Sequence, residues 1–144
     1  MTVLQRVAIC FAAGVIGALA VVVTSHDKDK GDRAVRVFEI RTYYAAEGKM
    51  DALNARFRDH TCKLFEKHRM KNIGYWQTIE PKDGKQVLIY ILAHDSEVAA
   101  KRSWEAFQND PDWKKVKEES EKDGALVDRI EKVFVKATDY SPIK

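Results

Sequence analysis

Hydrophobic and polar positions alternate along residues 35–44, where β-branched and aromatic side chains dominate. This two-residue period is typical of a strand whose faces meet different surroundings. One face carries Phe38, Ile40, Thr42 and Tyr44, and the other carries Val37, Glu39, Arg41 and Tyr43. Because the second face mixes charged with apolar side chains, we do not interpret it as a simple solvent-exposed surface.

A helical period follows between Gly48 and Met70. At 100° per residue, one sector of this helix collects Met50, Leu53, Phe57, Thr61 and Leu64. We therefore expect the helix to cover one face of a sheet. The same helical wheel places Cys62 away from the apolar sector, which predicts an exposed thiol that forms no bond, with an intermolecular disulfide as the alternative.

Residues 72–80 and 86–94 have the length and composition of two strands. Pro81 and the Asp83-Gly84 pair lie between them and favour a turn, so the two strands should form a hairpin. In the second strand apolar residues occupy both faces, and both faces should therefore be buried.

Two helices and a final strand complete the pattern. Asp95 or Ser96 can cap the first helix, which is short. The segment Asn109-Asp110-Pro111 is typical of a new helix start, and Gly124 should end that helix. Residues 127–137 alternate again and predict a strand.

The order β-α-β-β-α-α-β predicts the α+β class, as a ferredoxin-like βαββαβ domain with an extra short helix. A second copy of the chain is the simplest cover for the sheet face that the helices leave open.

The N-terminal residues 1–25 differ from the rest of the chain. Arg6 is their only charge, and it precedes the apolar run Val7–Val23 of 17 residues. This pattern predicts either a cleaved signal peptide, for which Ala18-Leu19-Ala20 is a suitable cleavage site, or an uncleaved membrane anchor. Both interpretations predict a protein that is exported, to the periplasm or the medium, or anchored in a membrane.

The domain boundaries follow from this change in composition. A charged linker should occupy residues 26–34, and one domain should occupy residues 35–144. Membrane contact is expected only through the N-terminal segment. If that segment is removed, Cys62 is the only cysteine left, so no internal disulfide can form.

Charge and motif content narrow the function further. The chain has 25 Lys and Arg against 22 Asp and Glu, and the signs alternate instead of forming a basic block. Nucleic acid is therefore not an expected partner. The sequence has no glycine-rich phosphate loop, nucleophile elbow or metal-ligand motif, so it predicts neither a cofactor nor a metal site.

Five segments, in order from about Phe38 to Pro142, together resemble a known family. They are VFEIRTYYAAEGKMDAL, FRDHTCKLFEKHRMKNIGYW, LIYILAHDS, SWEAFQNDPDWKKVKEESEKDG and TDYSP. The chain is similar to NIPSNAP domains. The resemblance implies a homodimeric α+β barrel, in which two ferredoxin-like sheets face each other and enclose a lumen.

The resemblance also implies a function class. The NIPSNAP family has no settled enzymatic activity, and its eukaryotic members are mitochondrial proteins linked to vesicle traffic and mitophagy signalling. We therefore expect a homodimeric binding or interaction module. Similar barrels in the wider superfamily include cofactor-independent monooxygenases and haem-degrading enzymes. The alternative is thus a small oxidative enzyme of the cofactor-independent monooxygenase type, with its site in the barrel lumen.

Six residues are candidates for a small-molecule site in that lumen. They are Glu39, Arg41 and Tyr43 on one strand face, Trp76 and Tyr90 in the middle of the hairpin strands, and His60 as a proton-handling residue. Structural roles compete with each of these. Glu39 and Arg41 can form an ion pair that fixes strand register. Aromatic residues are usually core, and isolated histidines such as His60 and His68 are weak evidence for a site.

Overall fold

A computed structural model of the chain describes residues 36–144. The predicted signal or anchor segment and the predicted linker lie outside the described residues. Across the described part of the chain, no helix is both long and apolar enough to cross a membrane.

The described elements follow the predicted order. They are β1 Val37–Ala45, α1 Met50–Arg56, a π-helical turn Phe57–Thr61, α2 Cys62–Lys67, β2 Lys71–Gln77, β3 Val87–His94, α3 Glu97–Asn109, α4 Pro111–Ser120 and β4 Val127–Lys136. The strands form one antiparallel sheet in the order β2-β3-β1-β4. This is the ferredoxin-like α+β arrangement that the sequence predicts.

Local signals place the starts of α3 and α4 as predicted. The Ser96 side chain accepts a hydrogen bond from the Ala99 amide at 3.1 Å. The Asp110 side chain accepts one from the Asp112 amide at 2.8 Å, and Pro111 occupies the first turn of α4. These bonds satisfy amides that have no partner within the helix. Helix α4 ends at Ser120 and not at Gly124, which lies in the following turn with a φ of +106°.

The helices pack on one face of the sheet. Buried side chains of this layer form a single core with Leu53, Phe57, Phe65, Leu88, Tyr90, Leu92 and Phe107 among its members. In the β1–β3 register, Arg41 faces Tyr90 and Tyr43 faces Leu88. Because opposed residues of antiparallel strands point to the same side, the Glu39, Arg41 and Tyr43 side chains also point toward the helices.

The predicted orientation of β1 is therefore wrong. Glu39, Arg41 and Tyr43 were expected to face away from the helices, into a lumen between two sheets. Both faces of β1 are buried, since Phe38 is 6% exposed and Glu39 is 1% exposed. Alternation shows which side chains share a face but not which face receives the helices. The mixed face can lie under the helices because its charges are paired.

The opposite side of the sheet, called here the open face, is largely apolar. It carries Phe38, Ile40, Trp76, Val87, Ile89, Ile91, Val133 and Val135. Trp76 and Val133 are each 53% exposed. C-terminal residues 137–143 lie against one end of this face, where Ile143 and Ser141 border a groove with Phe38.

Cys62 also departs from its prediction. Its side chain is half-buried and packs against the core, and it forms no disulfide within the described residues. The Cys62 amide donates a hydrogen bond to the Phe57 carbonyl, five residues earlier. Such a bond widens the helical turn, so a wheel drawn at 100° per residue does not hold beyond it.

Candidate functional site

The Glu39 side chain has three hydrogen-bond partners on the sheet face that meets the helices. Trp104 Nε1 of α3 donates to Oε2 at 2.6 Å, and Arg41 Nη1 donates to Oε1 at 2.8 Å. His94 Nε2, at the end of β3, lies 3.1 Å from Oε2. Since an ionised carboxylate only accepts hydrogen bonds, this contact requires the His94 proton to lie on Nε2.

The environment keeps Glu39 ionised. Burial raises the pKa of this carboxyl, but the hydrogen bonds from His94 and Trp104 and the charge and hydrogen bond of Arg41 outweigh it. The pKa of Glu39 therefore lies below its ordinary value. A carboxylate with a lowered pKa and three donors is a weak base. Its role here is to hold its partners in place.

Arg41 is the cationic partner that lines open space. Its guanidinium carbon lies 4.0 Å from the centre of the Trp104 ring and 5.6 Å from that of Tyr43. Burial lowers the pKa of Arg41, but Tyr90, Tyr43 and Glu39 raise it by more, so the guanidinium stays cationic. Within residues 36–144 it donates one side-chain hydrogen bond, to Glu39, and its buried Nε has no partner. Most of its five donors are unused.

Two clefts meet at Arg41 and Trp104. The first, called here the aromatic cleft, has a volume of about 590 Å³ between the sheet and the helices. Its lining includes Tyr43, Phe57, Phe65, Phe107, Trp113 and Ile130. The second, the charged cleft, has a volume of about 770 Å³ and is also lined by Glu39, Glu97, Lys101, Glu105, Gln108, Lys132 and Phe134. Ile130 and Phe134 both belong to β4, so both clefts lie along this edge strand.

Tyr90 lies in the core and packs against Tyr43, which lines the aromatic cleft. Its ring is fully buried and packs edge-on against Tyr43 at 5.2 Å. Its hydroxyl has no hydrogen-bond partner among the described residues. Burial, the largest cause, raises the pKa of Tyr90 well above its ordinary value, so the hydroxyl stays neutral.

A further cleft of about 560 Å³ lies at the loop between β1 and α1 and at the turn before β3. Its charged side chains, such as Glu47, Asp51 and Asp83, are exposed, and Asp83 pairs with Arg129 at 3.3 Å. The buried and incompletely bonded Arg41 makes the β4 side of the domain the stronger candidate.

The family relationship is independent of this geometry. The family model described as NIPSNAP matches residues 38–142. The chain belongs to the NIPSNAP family. No curated protein matches it.

Solved structures show the same fold. A NIPSNAP family protein of unknown function from Agrobacterium tumefaciens is 22% identical, with a TM-score of 0.66 over 78% of this chain and 97% of that one. A NIPSNAP-like domain protein from Burkholderia xenovorans is 15% identical, with a TM-score of 0.64 over 76% of this chain and 90% of that one. A monooxygenase from Streptomyces coelicolor, in complex with nanaomycin D, is 15% identical, with a TM-score of 0.50 over 81% of this chain and all of that one. At these identities the likeness shows the fold alone.

The NIPSNAP domain brings together four of the six predicted site residues: Glu39, Arg41, Tyr43 and Tyr90. Trp76 lies on the open face, because β2 pairs Trp76 with Ile89 and Tyr75 with Tyr90. His60 is exposed on the π-helical turn and borders a small groove with Val116 and Glu119 of α4. It therefore lines neither cleft at Arg41.

Two partners of Glu39 were missed as site residues. His94 shares the two-residue period of Tyr90 and Leu92, so the sequence did place it on their face. A buried carboxylate needs donors, and that requirement could have singled out His94. Trp104 falls under the general expectation that aromatic residues are core, and only the packing of α3 over β1 shows that its indole nitrogen reaches Glu39.

His68 has a structural contact in this NIPSNAP domain. Its Nε2 lies 2.6 Å from the Asp110 side chain, which Lys67 also contacts at 2.8 Å. Lys67 and then His68 hold the pKa of Asp110 far below its ordinary value. This cluster joins the end of α2 to the start of α4. Among the described residues, no three His, Cys, Asp or Glu side chains are grouped to hold a metal ion.

Proposed function

We propose that this NIPSNAP domain is a binding module that takes a small organic anion beside Arg41, where the aromatic and charged clefts meet. One observation carries the proposal. Arg41 is buried and cationic and its guanidinium carbon lies over the Trp104 ring at 4.0 Å, yet it uses one donor within the described residues. A guanidinium fixed in this way matches the planar, two-oxygen edge of a carboxylate. Because the side chain is already ordered, binding costs little further entropy.

The geometry favours binding over the oxidative alternative. An enzyme of that type needs a proton-handling residue within reach of the ligand. Glu39 has a lowered pKa and is occupied by its donors, while Tyr90 has a raised pKa. His94 is buried behind Glu39 and lines neither cleft, and His60 lies on the outer helix surface.

The ligand proposal is tested by mass spectrometry of molecules retained by protein purified from its native host. We expect wild-type protein to carry a small anion and the Glu39→Gln/Arg41→Met double variant to lose it. Lys63→Met is the matched control, because Lys63 is exposed on α2 and borders neither cleft. Equal retention by all three proteins would contradict the proposal.

We further propose that the domain forms a homodimer through its open face. Trp76, Val133 and Val135 are exposed there although they are large and apolar. A second copy related by two-fold symmetry would remove this surface from water. Light scattering of the purified chain tests the proposal, and a monomer throughout the micromolar range would refute it.

Export or membrane anchoring by residues 1–25 remains part of the proposal. It rests on Arg6 and the apolar run that follows. A reporter that is active only outside the cytoplasm, fused after residue 34, should become active. The N-terminal sequence of the product would then distinguish cleavage after Ala20 from retention as an anchor.

A further inference from the structure

A continuous row of aromatic rings runs along the aromatic cleft. From the Arg41 guanidinium, the Trp104 ring centre lies at 4.0 Å, and the Phe107 ring lies 5.6 Å from that of Trp104. Phe107 is followed by Trp113 at 4.5 Å between ring centres. The row ends at a second guanidinium, since the Arg56 carbon lies 5.3 Å from the Trp113 ring centre. All five side chains line the same cleft.

Arg56 resembles Arg41 in its surroundings. It is 6% exposed and comes from the end of α1. Its Nη1 donates to Glu121 at 2.8 Å and to Ser120 at 3.3 Å, while its buried Nε has no partner within residues 36–144. Glu121 thus orients Arg56 as Glu39 orients Arg41. Donors remain at both ends of the row.

The charges around the cleft also favour an anion. Its lining contains Arg41, Arg56, Lys114 and Lys117 against a single carboxylate, Glu121. Lys114 and Lys117 are exposed and form no ion pair with another described residue. The volume of about 590 Å³ lies within the usual range for sites of small organic ligands.

We infer that the aromatic cleft takes an elongated aromatic diacid, with one acidic group at Arg41, the other at Arg56, and the ring body against Trp104, Phe107 and Trp113. The rings lie at different angles, 90° between Trp104 and Phe107 and 33° between Phe107 and Trp113, so a planar ligand ring can pack against them face-on or edge-on. Guanidinium groups pair with carboxylates through charge-assisted hydrogen bonds. This inference rests on the proposed function, because it extends the Arg41 site to a second anchor.

The test compares two probes with the same ring system. Naphthalene-2,6-dicarboxylate has an acidic group at each end, whereas 2-naphthoate has one. Titration calorimetry with the full chain should show the diacid binding about tenfold more tightly, or better, because a hydrogen bond to a charged group typically contributes that much. The variants are Arg41→Lys, Arg56→Gln and Arg56→Lys, with Lys63→Met as the control.

Each anchor has its own expected signature. Arg56→Gln, which retains an amide that can bond Glu121, should abolish the preference for the diacid, and Arg56→Lys should restore part of it. Arg41→Lys should weaken both probes, because the planar fork is lost. Lys63→Met should match wild type. Thermal unfolding of every variant identifies any change that arises from misfolding.

The outcomes distinguish a failure of the diacid inference from a failure of the proposed function. If the monoacid binds and Arg41→Lys weakens it, but the diacid binds no more tightly, the diacid inference is overturned and the proposed function stands. If Arg56→Gln weakens both probes equally, the diacid inference is likewise overturned. If neither probe binds, or if Arg41→Lys changes neither affinity, both the inference and the proposed function fail.

Discussion

The Glu39–Arg41 pair offers the sharpest test of the described site. Arg41→Met would leave a carboxylate that is 1% exposed without its counter-charge. Truncating one partner of a buried ion pair typically destabilises a protein by ~3–5 kcal/mol. Glu39 keeps its donors Trp104 and His94 at 2.6 and 3.1 Å. We therefore expect a loss near the lower end, about 3 kcal/mol.

The double variant Glu39→Gln/Arg41→Met should recover much of this loss. It removes both charges and nearly preserves side-chain volume, and such replacements are often close to neutral. The carbonyl of the introduced glutamine can still accept from Trp104, while its new amide group has no obvious acceptor. We expect a net loss of about 1 kcal/mol, since one unsatisfied polar group typically costs ~1–3 kcal/mol.

Urea unfolding of the wild type, both single variants and the double variant gives the coupling energy. Lys85→Met is the matched control, because Lys85 pairs with Asp128 on the exposed surface. The free energy of unfolding of this variant should be close to that of wild type. An Arg41→Met stability equal to that of wild type would refute the reasoning. It would mean that water reaches Glu39 and that the pair contributes little to folding.

The same pair predicts a pH dependence with a definite sign. The pKa of Glu39 is lowered in the folded protein, so its stabilisation is present above the unfolded value, about 4.3. That stabilisation is lost as the pH falls through the folded pKa. The stability difference between wild type and the double variant should therefore shrink on acidification below pH ~4. A difference that grows on acidification would contradict the assignment.

Two further predictions concern the helix layer. Trp104→Phe removes a donor to Glu39 and weakens the ring contact with Arg41. Calorimetry should therefore show lower affinity for 2-naphthoate. Urea unfolding should show a destabilisation of about 1–2 kcal/mol. Asp110→Asn should lower the melting temperature at neutral pH, because Lys67 and His68 lose their charged partner. Since the pKa of Asp110 is lowered in the folded state, this difference should shrink as the pH falls. A pH-independent difference would assign the loss to packing instead.

Much of the fold could be predicted because the local signals agree with one another. Ser96 and Asp110 are helix caps in the sequence and in the structure. The doubly apolar β3 was predicted to be buried on both faces, and Leu88 and Tyr90 are buried under the helices, whereas Ile89 and Ile91 are only half-buried on the open face. Each of these predictions depends on residues that are neighbours along the chain.

The site could be predicted only in part because its geometry depends on distant contacts. Spacing alone predicts that Glu39 and Arg41 share a strand face. Which face of the sheet the helices cover depends on the packing of the whole domain. A donor such as Trp104 reaches Glu39 from another element, 65 positions along the chain. His60 is exposed in the π-helical turn Phe57–Thr61. Its position depends on how α1 and α4 pack.

Because Arg41 points toward the helices, the ligand site and the open face lie on opposite sides of the sheet. A change on the open face should therefore affect dimerisation without affecting ligand binding. Val133→Arg places a charge on the open face at the edge strand β4, where Val133 opposes Ile40. The side chain is already 53% exposed, so the isolated domain should tolerate the change while a sheet-to-sheet dimer should not. The Arg41 clefts lie on the other side of the sheet. Light scattering should therefore report a monomer, and calorimetry should report wild-type affinity for 2-naphthoate. A monomer that has lost its affinity, with an unchanged melting temperature, would show that the ligand needs both copies and would return the site to the lumen between them.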